Sequence, residues 1–174
     1  MMRSRLLVVV VAAGLLVACD DDNPTSPTGT SIVTMSALLS PANEVPAIAN
    51  AENVARGAAQ ITFDISRDAS GTITSATATM YFQLLNLPNG TIIRGAHIHS
   101  APAGVNGTIV VDTGVNAANT VSLDSGRQEF TFGPIGVGPV LMGNILANPA
   151  AFYFNVHTAT NPGGLARGQL SVVG

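Results

Sequence analysis

Between residues 58 and 85 the chain alternates apolar and polar side chains with a period of two. Ile61, Phe63 and Ile65 stand on one register with Gln60, Thr62 and Asp64 on the other, and after Asp68-Ala69-Ser70-Gly71 the pattern resumes with Ala76, Ala78, Met80, Phe82 and Leu84. Successive side chains of an extended strand point to opposite faces, so this reading belongs to strands with one buried face. The short break ends in glycine, which supplies the positive φ of a tight connection, and the two runs therefore form a hairpin. Shorter runs of the same kind cover 32–39, with Val33, Met35, Ala37 and Leu39 inward, then 92–99, 108–111, 128–132, 151–158 and 166–173. In the last of these Leu170 and Val172 are expected to face in, and Arg167 and Gln169 out. Leu87-Pro88-Asn89-Gly90, the proline- and glycine-containing stretch 100–107 and Asn161-Pro162-Gly163-Gly164 punctuate the runs as turns and loops. Residues 133–139 read as irregular, and 140–147 as one short helix in which Gly143 costs about 1 kcal/mol relative to alanine. The prediction is an all-β fold, an antiparallel β-sandwich or flattened barrel of about eight strands, Greek-key-like.

That fold must stand on its core alone, because Cys19 is the only cysteine of the 174 residues. Arg3 and Arg5 precede an unbroken apolar run from Leu6 to Ala18, too short to span a bilayer comfortably and read as a signal peptide over residues 1–18. The run ends Leu16-Val17-Ala18-Cys19, which resembles the bacterial lipobox, and the resemblance implies lipidation of Cys19. Residues 19–31 are polar, with Pro24, Pro27 and Gly29, and read as a lipidated cysteine followed by a flexible linker. Residues 32–174 are the folded domain. The expected location is the bacterial cell envelope, on a periplasmic or cell-surface face, with the membrane as a partner through the lipid anchor. Asp20, Asp21 and Asp22 read either as a solvated start to the tether or, by resemblance, as an inner-membrane retention signal. The chain has no lysine and a net charge of -3, so nucleic-acid binding, which needs a basic patch, is not expected.

All three histidines fall in two strand-like segments, Gly95-Ala96-His97-Ile98-His99 and Phe154-Asn155-Val156-His157-Thr158. His97 and His99 share a face while Ile98 takes the other; Phe152, Phe154 and Val156 are apolar and put Tyr153, Asn155 and His157 on the polar side. If the two strands are neighbours, three imidazoles converge outside the apolar core. An i, i+2 pair plus one more supplies a three-nitrogen site with an open position, suited to copper or zinc. The alternative is that the histidines hydrogen-bond loop backbone while Arg167 and Asn155 tie strand ends together. Glu44, in the excursion Ser40-Pro41-Ala42-Asn43-Glu44-Val45-Pro46, reads as a solvated loop carboxylate.

These segments carry a family resemblance. Leu39 to Pro46, Arg56-Gly57-Ala58-Ala59, Ala96-His97-Ile98-His99 with Ala103-Gly104-Val105-Asn106-Gly107, and Asn155-Val156-His157-Thr158 with Pro162-Gly163-Gly164 and Arg167-Gly168-Gln169-Leu170 resemble the CHRD (chordin) domain, in order and with ordinary spacing. Ala47 follows Pro46 where a second proline is commoner. The resemblance implies an extracytoplasmic β domain without a settled activity. A more distant resemblance is to copper/zinc superoxide dismutase: His97, His99 and His157 would stand where three copper ligands stand, and Arg167 where an anion-guiding arginine stands. No histidine lies between His99 and His157 to bridge to a second metal, and no cysteine pair exists for an internal disulfide.

Other chemistries lack their parts. No serine sits in a glycine-flanked nucleophile turn, the carboxylates are scattered singly, and Gly104-Val105-Asn106-Gly107 has neither the lysine nor the helix of a phosphate loop. The expected function is a membrane-tethered binding or scaffold module with a protein or small-molecule ligand, possible site for copper or zinc included. The alternative is a copper-dependent, dismutase-like metalloenzyme.

Overall fold

The computed structural model describes residues 29–123 and 128–173; Cys19 and the signal segment lie outside the described residues. Among the described residues the strands are β1 (Gly29–Leu39), β2 (Arg56–Arg67), β3 (Ile73–Leu85), β4 (Ile92–Ser100), β5 (Thr108–Asp112), β6 (Val121–Ser122), β7 (Gln128–Val137), β8 (Phe152–Thr158), β9 (Ala166–Gln169) and β10 (Ser171–Val172), with one α-helix, α1 (Pro139–Ala147), and three short 3-10 turns. They form two antiparallel sheets, β10-β1-β2-β3-β7 and β5-β4-β8-β9, with β6 paired to the start of β4. Neither sheet closes on itself, so of the two expected architectures the sandwich is the one adopted.

The predicted inward faces meet between the sheets. Met35, Ile61, Phe63, Met80 and Phe82 of the first sheet and Ile98, Phe154 and Val156 of the second are wholly buried. Phe82 stacks on Phe130 at 4.8 Å within its own sheet and meets Phe154 of the opposite sheet at 5.3 Å, so it pins the layers together. Met142 and Ile145 of α1 join the same core.

Three expectations need correction. The linker assigned to residues 19–31 ends earlier, because Gly29, Thr30 and Ser31 already pair with Arg67, Ser66 and Ile65. Residues 133–137 continue β7 instead of breaking it: the strand crosses Gly133-Pro134 through a register shift opposite Ala78 and Met80. A proline is tolerated there because β7 is an edge strand, where a missing amide donor need not break a ladder. Val172 is 58% exposed instead of buried. The chain changes sheets at Leu170, whose amide still donates to Phe152 O in the second sheet while Ser171 and Val172 pair with β1 in the first. The period-two pattern is reset at that crossing.

Candidate metal centre

β4 and β8 are neighbours, with Gly95 opposite His157, His97 opposite Asn155 and His99 opposite Tyr153. Alternate residues share a face, so these six positions make one patch on the side of the sheet turned away from the sandwich core. The three histidines converge: one ring nitrogen from each lies within 4.8 Å of the others. An ion bonded to three imidazoles wants its nitrogens roughly 3.4 Å apart, so side-chain adjustments of about an ångström would close the set.

The patch is outside the core yet not open to water. His97 and His99 are buried, Tyr153 and Asn155 are each 2% exposed, and His157 is half-buried. Loops from distant parts of the chain cover it, and they also orient the rings. His99 Nδ1 lies 3.0 Å from Gly107 O and His157 Nδ1 lies 3.0 Å from Pro162 O. A carbonyl can only accept, so both Nδ1 atoms carry hydrogen and both Nε2 atoms present lone pairs. His97 Nε2 lies 3.4 Å from the Asp112 carboxylate, a charge contact that favours hydrogen on Nε2 and leaves the buried Nδ1 as the nitrogen without a partner. His97 Nδ1, His99 Nε2 and His157 Nε2 are all buried without a hydrogen-bond partner.

Burial lowers the pKa of each ring. For His157 it brings the value down to about 4, against the raising effect of the Pro162 hydrogen bond. For His97 the desolvation is opposed by Asp112, and for His99 by the Gly107 hydrogen bond. The imidazoles are therefore neutral around pH 7, the form that binds a metal.

Gly95 is part of this geometry, although nothing in the sequence pattern singled it out beyond a glycine inside a strand. A Cβ there would stand 2.7 Å from His97 Cε1 and 3.5 Å from His157 Cδ2, so its missing side chain is the room the rings occupy. Tyr153 stacks on His99 with centroids 4.8 Å apart and planes 9° from parallel. Its hydroxyl accepts from Gly107 N–H at 3.1 Å, so one residue, through the peptide groups on either side of it, fixes both rings.

Arg167 stands in the same outer row, opposite Asn155, and is 2% exposed. Its guanidinium lies 4.7 Å from the Tyr153 ring centroid, donates from Nε to Asn43 O at 2.7 Å and from Nη1 to Asn106 Oδ1 at 2.9 Å, and faces Glu44 Oε2 at 3.8 Å. These bonds engage Nε and Nη1, while Nη2 is buried without a partner. Glu44 corrects the expectation of a solvated carboxylate: it is 6% exposed. A buried guanidinium needs a counter-charge, and the loop carrying Glu44 folds in to supply it. Burial pushes the Glu44 carboxyl up to about 7, with Arg167 pulling the other way. Beside this pair Glu52 accepts from Thr158 Oγ1 at 2.6 Å and from Asn161 Nδ2, tying the loop before β2 to the end of β8 next to His157.

The CHRD domain family model matches residues 35–170, a span that holds every residue of this patch. Comparisons with curated proteins and with solved structures gave no match.

Proposed function

The chain belongs to the CHRD domain family, and from that premise we propose that it is an exported, lipid-anchored binding or scaffold module built around a three-histidine site for copper or zinc. One observation carries the metal reading: three neutral, buried imidazole nitrogens with no partner face one another in a cluster. Leaving three such lone pairs unsatisfied costs about 1–3 kcal/mol each, a cost that an ion would remove. The ligand set is all nitrogen, which suits copper(II) and zinc.

Metal analysis of the purified full-length protein tests this, followed by a superoxide assay. Metal without turnover supports the binding module, metal with turnover the dismutase-like alternative, and a protein that takes up neither ion after dialysis against each overturns the site. The same three histidines favour the alternative, and Arg167, whose Nε and Nη1 are engaged by Asn43, Asn106 and Glu44, keeps Nη2 without a partner.

Asp112 is expected to decide which nitrogen His97 offers. It is more than half exposed, so replacing it should barely affect stability. Asp112→Ala removes the carboxylate that faces His97 Nε2 and lets the proton move to Nδ1, where it blocks the metal; zinc affinity should fall about 10–100-fold. Asp112→Asn keeps an acceptor and should fall less. Long-range proton–nitrogen NMR of the metal-free protein at pH 7.5 gives a direct check, with His97 carrying its hydrogen on Nε2 and the other two on Nδ1.

For the membrane, the reading rests on Cys19. Cys19→Ala is expected to move the protein from the detergent phase to the aqueous phase on phase separation, since a diacylglyceryl group provides two-chain anchoring. Partitioning that stays with the detergent would remove the lipid anchor from the proposal.

A further inference from the structure

Asn155 occupies the fourth corner of the histidine cluster. His97 faces it directly across the strand pair, His99 lies two residues along on β4, and His157 lies two residues along on β8 in the opposite sense of the row. The diagonal from His99 to His157 crosses the row formed by His97 and Asn155, so a group held by the three imidazoles sits over that row and beside Asn155.

The Asn155 side chain is 2% exposed, and its Oδ1 has no hydrogen-bond partner. Its amide nitrogen is on the Glu44 side: Asn155 Nδ2 and Glu44 Oε2 lie 2.7 Å and 2.6 Å from the point where a Cβ of Gly164 would stand. Only glycine fits there, and Gly164 adopts φ +137. A donor nitrogen beside a carboxylate is the arrangement electrostatics prefers, and in a planar amide it turns the oxygen onto the other branch, away from Glu44. Among the described residues, six buried side-chain polar atoms lack a partner. Three are the histidine nitrogens and the fourth nearest in the sheet register is this oxygen.

We infer that Asn155 Oδ1 is the fourth contact of the metal site, an oxygen donor added to three imidazoles. The inference rests on the metal reading above. An N3O set closes the tetrahedral position that zinc prefers and adds a hard donor that favours zinc or copper(II) over copper(I).

Zinc affinity of the full-length protein, measured by competition with a chromophoric chelator at pH 7.5, tests it in three forms. Asn155→Ala should weaken binding about tenfold or more, the range lost when a group orienting or completing a metal site is removed. Asn155→Asp keeps the shape and puts a charged oxygen at the ion, so it should bind zinc more tightly than the parent, although it gives up the donor facing Glu44 and should melt lower without metal. A residue that merely braces the loop would melt lower in both variants with the parent's zinc affinity. That pattern, or an Asp variant no tighter than the parent, overturns the inference and leaves the three-histidine site standing. A parent that binds no zinc overturns both.

Discussion

Phe154→Ala is expected to cost about 3–5 kcal/mol, and Phe82→Ala the same, which for a domain of ordinary stability removes a third or more of the margin. Both rings are wholly buried and they meet across the two sheets. With no disulfide available to hold the layers, the loss falls on packing alone. Urea unfolding of the full-length protein would measure it. Because the rings touch, the double variant should lose less than the sum of the singles by about 0.5–1.5 kcal/mol, the coupling of an aromatic pair. A cost near zero for either single variant would mean that the strand faces are inverted.

Zinc or copper(II) at a hundredfold excess over Kd should add about 2.7 kcal/mol to stability, a rise of roughly 5–10 °C in Tm for a domain of this size. Alanine at His97, His99 or His157 should each abolish most of that rise. Arg167→Ala should keep the metal-dependent rise while lowering Tm in metal-free buffer, because it strands Glu44 as an unpaired buried acid and removes the cover of Tyr153. The pH dependence has a definite sign. The imidazoles have lowered pKa values in the folded protein, near 4 for His157, so the unfolded chain binds more protons between about 6.5 and 4. Metal-free stability from the histidines is therefore fully present above pH 6.5 and lost as the pH falls through that window. Metal affinity should persist to a lower pH than an unperturbed imidazole would dictate. Glu44 acts in the opposite sense: raised to about 7, it favours the fold below about pH 4.5 and loses that contribution as the pH rises through 7. Comparing the parent with Glu44→Gln separates the two slopes.

Much of this site was legible in the sequence, and the limits are physical. A period of two tells which side chains share a face, so the pairing of His97 with His99 and the inward set Phe152, Phe154 and Val156 could be read directly. It does not tell what lies over the outer face. Tyr153, Asn155 and Arg167 are buried there because loops from residues 40–55, 100–107 and 159–165 fold over them, and no local pattern announces a cover made by residues so far away. Arg167 and Asn43 are 124 residues apart. For the same reason Glu44 looked like a loop carboxylate until the guanidinium it meets was known. Val172 failed differently: strand alternation continued through Leu170, but the strand had changed sheets.

That sheet change bears on when the protein can finish folding. β1 is bordered on one side by β2, a nearby partner, and on the other by β10, where Ser36 meets Ser171 across 135 residues. A chain emerging N-terminus first can zip β1, β2 and β3 as a meander early, yet both the closing strand and Arg167 lie far downstream of them. Non-local closure of this kind is slow, typically milliseconds to seconds in β-sandwiches. Until synthesis delivers residues 166–172, the histidine patch lacks the cover that Arg167 holds in place and the first sheet keeps an open edge on β1. Closure of the first sheet's edge and covering of the site are thus ordered by the same late segment.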